Sequence, residues 1–549
     1  MRRLDRTNSA RRGRLRRVAG ALAAALLALA AAPAPPAAAA GLVPLSGAGS
    51  TWAMPAIQQW DRDVQEHYLL AVDFNGNGSA EGRQNYMQQE VDFAASDIAF
   101  LTQGDPFGGG IENPAYSYSY IPIVAGGTTF MYNLTVDGSR VKNLRLSGPT
   151  IAGIFTGHIT NWDDPAITRD YGKQLPNIPI TVVTRSDGSG ASYQFTEWLA
   201  TQYASQWNAF CASAGGPATN CGPTEFYPGF SGSIQKDGSD QVAGFLASPV
   251  SNGAIGYDEY AYAINYNVPV VKVENAAGYY TQPTAYNVAI ALQAAIINED
   301  SSSPDFLMQD LHNVYTNPDS RAYPLSSYSY LIVPRDSSNT GKPPPSTWTD
   351  AKGASMSQWI NWAVCKGQQE IDAIGYSALP ENLVQGAFEQ LGHIPGHTDP
   401  ADINTCGNPT YASGQDILIT EAPQPSPCDY YTAPIDCTIV NGKAVSTDSG
   451  SGGSAGAGAG AGSGAATGPQ ASNSAGASGA GGNGAGGGAG GGGSGGSGQT
   501  IYSEPVAVAA KPYNQSLSAT LAVLELLGAI CAPVLIGYAL QRRRRGVKP

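Results

Sequence analysis

Residues Thr181 to Leu199 read TVVTRSDGSGASYQFTEWL. An apolar run rich in β-branched residues stops at Arg185; Asp187, two glycines and serines follow, and a segment with helical spacing begins. β-Branched residues suit the pleated strand, and apolar positions three and four apart suit a helix, so a strand-to-helix junction is predicted. A helix N-terminus presents unpaired N–H groups and the positive end of a dipole. Glycine lets the backbone approach a ligand, and arginine adds a charged planar fork. The junction suits capture of an oxyanion.

The same alternation continues from about Leu42 to Leu391. SYIPIVAGGTTFMYNL (119–134), NIPITVVT (177–184), AIGYDEYAYA (254–263) and YPLSSYSYLIVP (323–334) read as strands. AMPAIQQWDRDVQEHY (53–68), GASYQFTEWLATQYASQW (190–207), TAYNVAIALQAAII (284–297) and MSQWINWAVCKGQQEIDAIG (356–375) read as helices. Mixed alternation of this kind predicts an α/β architecture.

Three further stretches place small residues and hydroxyls at loop-to-helix junctions or strand ends. SGAGSTWAMP (46–55) offers Ser50 and Thr51, FNGNGSAEGRQNYM (74–87) offers Ser79, and VDFAASDIAF (91–100) ends a strand-like run on Ser96 and Asp97. Each alone reads first as a helix-capping turn, because Ser and Gly are common caps. In this order, with IPIVAGG (121–127), LSGPTIAGIFTGHITNWDDPAI (146–167), GAIGYDEYAYA (253–263) and IGYSALPENLV (374–384), they resemble one family. That family is the extracytoplasmic phosphate-binding proteins of high-affinity phosphate ABC transporters.

The resemblance covers about Leu42 to Leu391 and implies a type II periplasmic-binding-protein fold. Such a fold has two α/β lobes, two crossing strands and a cleft that closes on the ligand. By that likeness 42–122 and 323–391 form one lobe and 123–322 the other, within a binding body of 41–400. Carried over residue by residue, the phosphate ligands fall on Thr51, Trp52 (a backbone N–H), Ser79, Asp97, Arg185, Ser189, Gly190 and Ala191, with Asp187 bracing Arg185. Two positions depart from the family. Ala191 stands where a threonine hydroxyl is usual, leaving only its N–H, with Ser192 as the neighbouring hydroxyl. A hydrogen bond to a charged ligand is worth about 1.5–3 kcal/mol, so this loss corresponds to roughly ten- to hundredfold in affinity. Glu81 stands where glycine is usual; it repels an anion if it points inward and is harmless if it points outward.

Asp97 carries the selectivity expectation. A carboxylate facing an anion is repulsive unless the ligand donates a proton. Phosphate near neutral pH carries one and sulfate does not, so Asp97 is expected to reject sulfate. The plainer alternative makes Asp97 a helix N-cap at a strand end.

Charge narrows the possible partners. The 549-residue chain carries −13 overall, yet eight arginines lie within the first 17 residues, and Arg542 to Arg545 with Lys548 close the chain. Setting both ends aside leaves 17 basic against 42 acidic residues, a balance of −25. Such a body repels nucleic acid, so no nucleic-acid partner is expected. It repels small anions too, so an anion site must work through close local donors.

The N-terminus, with RRGRLRR, an apolar run from Val18 to Ala32 and small residues through Ala40, reads as an export signal spanning 1–40. Export implies an oxidising compartment, so cysteines are read as disulfides first. Cys211, Cys221, Cys365, Cys406, Cys428 and Cys437 allow fifteen connectivities. Short loops favour Cys211–Cys221 and Cys428–Cys437, leaving Cys365–Cys406. No Cys-x-x-Cys occurs and the five histidines are scattered, so neither a metal site nor a cofactor is indicated.

Beyond a Cys- and Pro-rich extension (401–448), residues 449–498 hold almost only Gly, Ala and Ser and read as a flexible linker. The segment 517–540 is nearly all apolar despite Glu525 and Pro533, and RRRR follows at once. That length suits a membrane-spanning helix with 541–549 as its basic cytoplasmic tail. The expected partners are therefore inorganic phosphate, the membrane permease subunits of a phosphate ABC transporter, and the membrane itself through this helix. Two other classes are weighed. A secreted phosphatase with Ser189 as nucleophile lacks a histidine near any serine stretch and, in the part read as folded, a G-x-S-x-G elbow; a surface-anchored binder of another oxyanion, or an adhesion or signalling protein, shares the fold. The reading is a non-enzymatic solute-binding protein.

Overall fold

The computed structural model describes residues 41–338, 341–411 and 414–447. The export signal, linker, C-terminal span and basic tail lie outside the described residues. Among the described residues no helix is long and apolar enough to cross a membrane.

One eight-stranded sheet joins two halves of the molecule. Its first half is built from β1 (Leu45–Gly49), helix α1 (Met54–Tyr68), β2 (Val72–Asn75), helix α2 (Ser79–Met87) and β3 (Phe93–Ser96). β1 pairs in parallel with β2, Leu45 opposite Val72, and with β3, Gly47 opposite Phe93. The buried positions Ala56, Ile57, Trp60 and Val64 of α1 lie on the single face that its apolar spacing predicts.

The long strand β4 (Tyr118–Asn133) then crosses to the second half. That half contains β5 (Thr181–Arg185), helix α3 (Gly190–Gln202), β6 (Ser233–Lys236), helix α4 (Gly238–Ala247) and β7 (Ala254–Glu259). β8 (Ser326–Pro334) returns the chain to the first half. The strand order is β2-β1-β3-β8-β4-β7-β5-β6. β4 pairs antiparallel with β8 from Tyr118 to Gly127, then with β7 from Thr128 to Asn133. The partner changes at the Gly126–Gly127 pair, where backbones crowd: a Cβ on Gly126 would stand 2.7 Å from the Trp52 ring and 2.8 Å from a Glu259 carboxylate oxygen. Both crossing strands are buried along almost their whole length, as strands covered on both faces are.

Each half has its own aromatic centre. Trp60 and Trp359 meet edge to face at 6.0 Å in the first, and Phe195 packs within 5.2 Å of Phe130, Phe155 and Tyr257 in the second. Aromatic pairs of this kind add about 0.5–1.5 kcal/mol each beyond the area they bury.

Several expected elements differ in extent: the helix expected over 190–207 breaks at Tyr203 into Gly190–Gln202 and Ala204–Ser213, and the strand expected over 177–184 starts at Thr181. AIGYDEYAYA is a strand only as far as Glu259; Tyr260–Tyr266 is helix, because the YAYA alternation fits a buried helix face as well as a pleat. The helix expected over 284–297 stops at Leu292, and the one over 356–375 is displaced to Asp350–Val364. The latter starts at its Thr349 cap, whose side chain accepts from Lys352 N–H, and stops before Cys365.

Cysteines pair as Cys211–Cys221, Cys365–Cys406 and Cys428–Cys437, the arrangement that short-loop reasoning favours. The Cys-rich extension is more ordered than its Pro-rich sequence suggests. A hairpin pairs Cys437 with Ser446, and Lys272 Nζ meets Asp429 Oδ1 at 2.6 Å. The Arg145 guanidinium donates to the Ala433 carbonyl at 2.6 Å. The extension is thus fixed to the first half by Cys365–Cys406 and to the second half by these polar contacts.

Candidate functional site: a buried polar junction between the halves

β1 and β3 run parallel in the first half, β5 runs parallel to β6 and β7 in the second, and the C-terminal ends of β1, β3 and β5 meet at the junction of the halves, the strand ends at which open α/β sheets place their ligand sites. After β1 come Ser50 and Thr51, after β3 comes Asp97, and β5 ends on Arg185 itself. Two groupings of side chains result.

Around Asp97, which is 2 % exposed, three hydroxyls converge. Its Oδ1 accepts from Ser329 Oγ at 2.7 Å and Ser50 Oγ at 2.8 Å; its Oδ2 accepts from Ser79 Oγ at 3.1 Å. The N-terminus of α3 closes on the same carboxylate: a Cβ on Gly190 would stand 2.3 Å from Asp97 Oδ2, so only glycine fits. Burial pushes the Asp97 carboxyl above the usual range, against the lowering effect of Ser329, Ser50, Ser79 and the Arg185 charge.

Around Arg185, 1 % exposed, every nitrogen has a partner. Nε donates to Asp187 Oδ1 at 2.8 Å, and Nη2 donates to Asp187 Oδ2 and, at 2.8 Å, to Thr51 Oγ1. Nη1 donates to Ser239 Oγ at 3.1 Å and to Asp258 Oδ2 at 3.2 Å. Burial disfavours the guanidinium charge, but Asp258 and Asp187 more than offset it and hold the group protonated. Burial likewise acts to raise Asp187, yet the Arg185 charge and the N–H of Gly238 keep it below the ordinary carboxylate range. Asp258 goes the other way: its complete burial outweighs Arg185 and raises it.

The remaining expected residues surround these two groups. Ser189 caps α3, its hydroxyl accepting from Ser192 N–H at 3.3 Å. Ala191 is 1 % exposed within the first turn of α3, and Trp52 is 2 % exposed, its ring N–H directed to Thr128 Oγ1 at 3.3 Å. The Ser192 hydroxyl pairs with Tyr257 Oη at 2.6 Å and is therefore engaged on the core side of α3. Glu81 is exposed, leaving the first turn of α2 free of an inward carboxylate.

Sequence reading missed Ser239, Asp258, Ser50 as an Asp97 partner, and Ser329. Ser329 reaches Asp97 across 232 residues of chain and Ser239 reaches Thr51 across 188. No local spacing encodes such contacts; a serine after a glycine at a helix start is the only signal Ser239 leaves.

Arg185 is the sole cation among these groups, with Asp187, Asp258 and Asp97 around it. The junction therefore has no positive net charge, and an anion there must be held by oriented donors: Arg185, the hydroxyls, and the N–H groups opening α2 and α3. Among the described residues no group of three or more His, Cys, Asp or Glu side chains is placed to hold a metal ion.

The model of the PBP superfamily domain matches residues 31–367. The chain belongs to the PBP superfamily. Its relatives in the superfamily include the phosphate-binding protein PstS of Xylella fastidiosa (strain Temecula1), 28 % identical over 345 residues, covering 62 % of this chain and 83 % of that protein. The PstS of Methanocaldococcus jannaschii is 27 % identical over 359 residues, covering 63 % and 85 %. The PstS 2 of Mycobacterium tuberculosis is 27 % identical over 344 residues, covering 62 % and 84 %. Among solved structures, a phosphate-binding protein from Stenotrophomonas maltophilia aligns with a TM-score of 0.44 and 17 % identity, covering 65 % of this chain and 100 % of that one.

Proposed function

We propose that this PBP-superfamily chain captures inorganic phosphate at the junction of its two halves and delivers it to the permease subunits of a phosphate ABC transporter. The observation that carries this reading is Asp97: a buried carboxylate, ringed by three serine hydroxyls and the α3 N-terminus, beside an arginine. Such a group accepts the proton of a protonated oxyanion and repels one without a proton. Thr51, Ser79, Arg185, Ser189 and the N–H groups of Trp52, Gly190 and Ala191 act as donors to the anion's oxygens. Asp187 fixes the guanidinium. The relatedness to proteins named for phosphate binding supports the same choice of ligand.

The proposal extends to location. The body is exported, and residues 517–540 hold it at the cytoplasmic membrane with RRRR inside. About fifty linker residues give a root-mean-square reach of roughly 40 Å, which keeps the binding body near a membrane transporter. Equilibrium dialysis of phosphate, arsenate, sulfate and a phosphonate against the protein tests the ligand. Retention of phosphate and arsenate with exclusion of sulfate is expected; equal retention of sulfate overturns the reading.

A further inference from the structure

Helix α4 begins at the same junction, and its second residue is Ser239, fully buried. Its hydroxyl lies 2.8 Å from Thr51 Oγ1 and 3.1 Å from Arg185 Nη1. Its N–H also points at Thr51 Oγ1, at 3.4 Å. Both polar groups of one residue are therefore directed at two of the proposed phosphate donors. The helix is tied to the arginine by a common partner: Asp187 Oδ1 accepts from Gly238 N–H at 3.0 Å and from Arg185 Nε at 2.8 Å. Whatever fixes the guanidinium thereby fixes the start of α4.

Thr51 and Ser239 come from opposite halves, and Tyr262 Oη adds a bond to the Thr51 carbonyl at 2.6 Å. The two hydroxyls share one hydrogen bond, and either atom can donate it. One of the two protons remains for a further acceptor, because a hydroxyl donates once and accepts twice; the Asp258 carboxylate beside Ser239 is one such acceptor. An oxyanion seated against Arg185 Nη2 and Thr51 Oγ1 is such an acceptor, and it lies within reach of α4's first turn.

Resting on the phosphate reading above, we propose that Ser239 is itself a ligand of the anion, donating its hydroxyl and its N–H from α4. The anion is then gripped by three helix starts, those of α2, α3 and α4. This places a donor beside Asp258, on the face of Arg185 that Asp187 does not cover. It also gives the second half a donor besides Arg185 that does not depend on α3.

Two measurements on the full chain test this. Calorimetric titration with inorganic phosphate is expected to show roughly ten- to hundredfold weaker binding for Ser239→Ala, the loss of one hydrogen bond to a charged ligand. Ser239→Thr, which keeps the hydroxyl, is expected to retain most of the affinity. A crystal structure of the phosphate complex is expected to place a phosphate oxygen within about 3.2 Å of Ser239 Oγ or N. Binding by Ser239→Ala equal to that of the unsubstituted chain overturns the assignment. So does a complex in which Ser239 touches only Thr51 and Arg185, since the residue then positions the donors without being one. If the unsubstituted chain takes up no phosphate, the phosphate reading itself falls and this assignment falls with it; in the two preceding outcomes only the Ser239 assignment falls.

Discussion

Arg83 Nη2 and Glu225 Oε1 meet at 2.6 Å with both side chains fully buried, joining α2 of the first half to the loop before β6 of the second. Arg83 also holds Glu112 at 2.8 Å, and Asp105 accepts from Thr224 Oγ1 at 2.6 Å and from Glu225 N–H at 2.8 Å. The two halves are thus fastened together by an ion pair beside the proposed anion site, separate from the groups proposed to touch phosphate. Breaking a buried pair by removing one partner costs about 3–5 kcal/mol, because the other charge stays desolvated. Glu225→Gln is therefore expected to disfavour closure and weaken phosphate binding at least about tenfold, with Arg185 and Asp97 untouched. Titration calorimetry checks the affinity, and small-angle scattering checks that the unliganded variant is more open.

Arg185→Ala is expected to lose most phosphate affinity and to lower thermal stability as well. It strands Asp187 and Asp258, which accept three of the arginine's hydrogen bonds. Arg185→Lys keeps a charge but not the planar fork, so its unfolding midpoint is expected to lie between those of the alanine variant and the unsubstituted chain. A lysine variant with full affinity contradicts the role given to the fork.

Asp97→Asn removes the charge that repels an unprotonated oxyanion. The expected result is a narrower preference for phosphate over sulfate, measured by competitive titration of the two anions. A variant that binds phosphate and still ignores sulfate rules out Asp97 as the proton-sensing group.

Glu259 gives a pH dependence of known sign. It is fully buried where β7 meets β4, and neither carboxylate oxygen has a hydrogen-bond partner. Burial pushes it well above the ordinary carboxyl value of 4.5, and the charges of Asp258 and Asp97 add to the rise, softened by the nearby N–H groups of Tyr260 and Ala261. The folded chain thus holds a proton that the unfolded chain has released. Its contribution to stability is complete below about 4.5 and is lost as pH rises through the folded value. Glu259→Gln removes that slope, so its unfolding midpoint should fall less than that of the unsubstituted chain as pH rises from 5 to 9. Parallel melting curves across that range check it.

The architecture was legible because its signals are local. β-Branched runs ending in Gly, Ser and Asp before helical spacing, as at 181–199, mark strand ends that carry a site whatever lies around them. What stayed hidden depends on distant partners. Arg83 and Glu225 are 142 residues apart and Asp97 and Ser329 are 232 apart, so no window along the chain contains either pair. The end of β7 was misplaced for a different reason: Glu259 is followed by neither glycine nor proline, and the apolar alternation simply continues into the helix. Cysteine pairing was legible because two of the loops are short, with separations of 10 and 9 residues.

The third pair, Cys365–Cys406, spans 41 residues and joins the extension to the first half. Loop-closure entropy gives about 4 kcal/mol for a loop of that length, against about 3 for Cys211–Cys221. Replacing Cys365 and Cys406 together by serine is expected to lower the unfolding midpoint more than replacing Cys211 and Cys221. Denaturant unfolding of the two double variants decides the order.

Deleting the chain from Thr500 onward is expected to release a folded, phosphate-binding protein into the medium. A truncated protein that stays with the membrane fraction contradicts anchoring by 517–540.

Titration of the full chain with inorganic phosphate in a calorimeter, with sulfate as the matched control, bears most directly on anion capture at the Arg185–Asp97 junction. Saturable heat with one phosphate per chain and no heat from sulfate is the predicted result. No phosphate heat at roughly 1 mM, where binding corresponds to only about −4 kcal/mol, contradicts it.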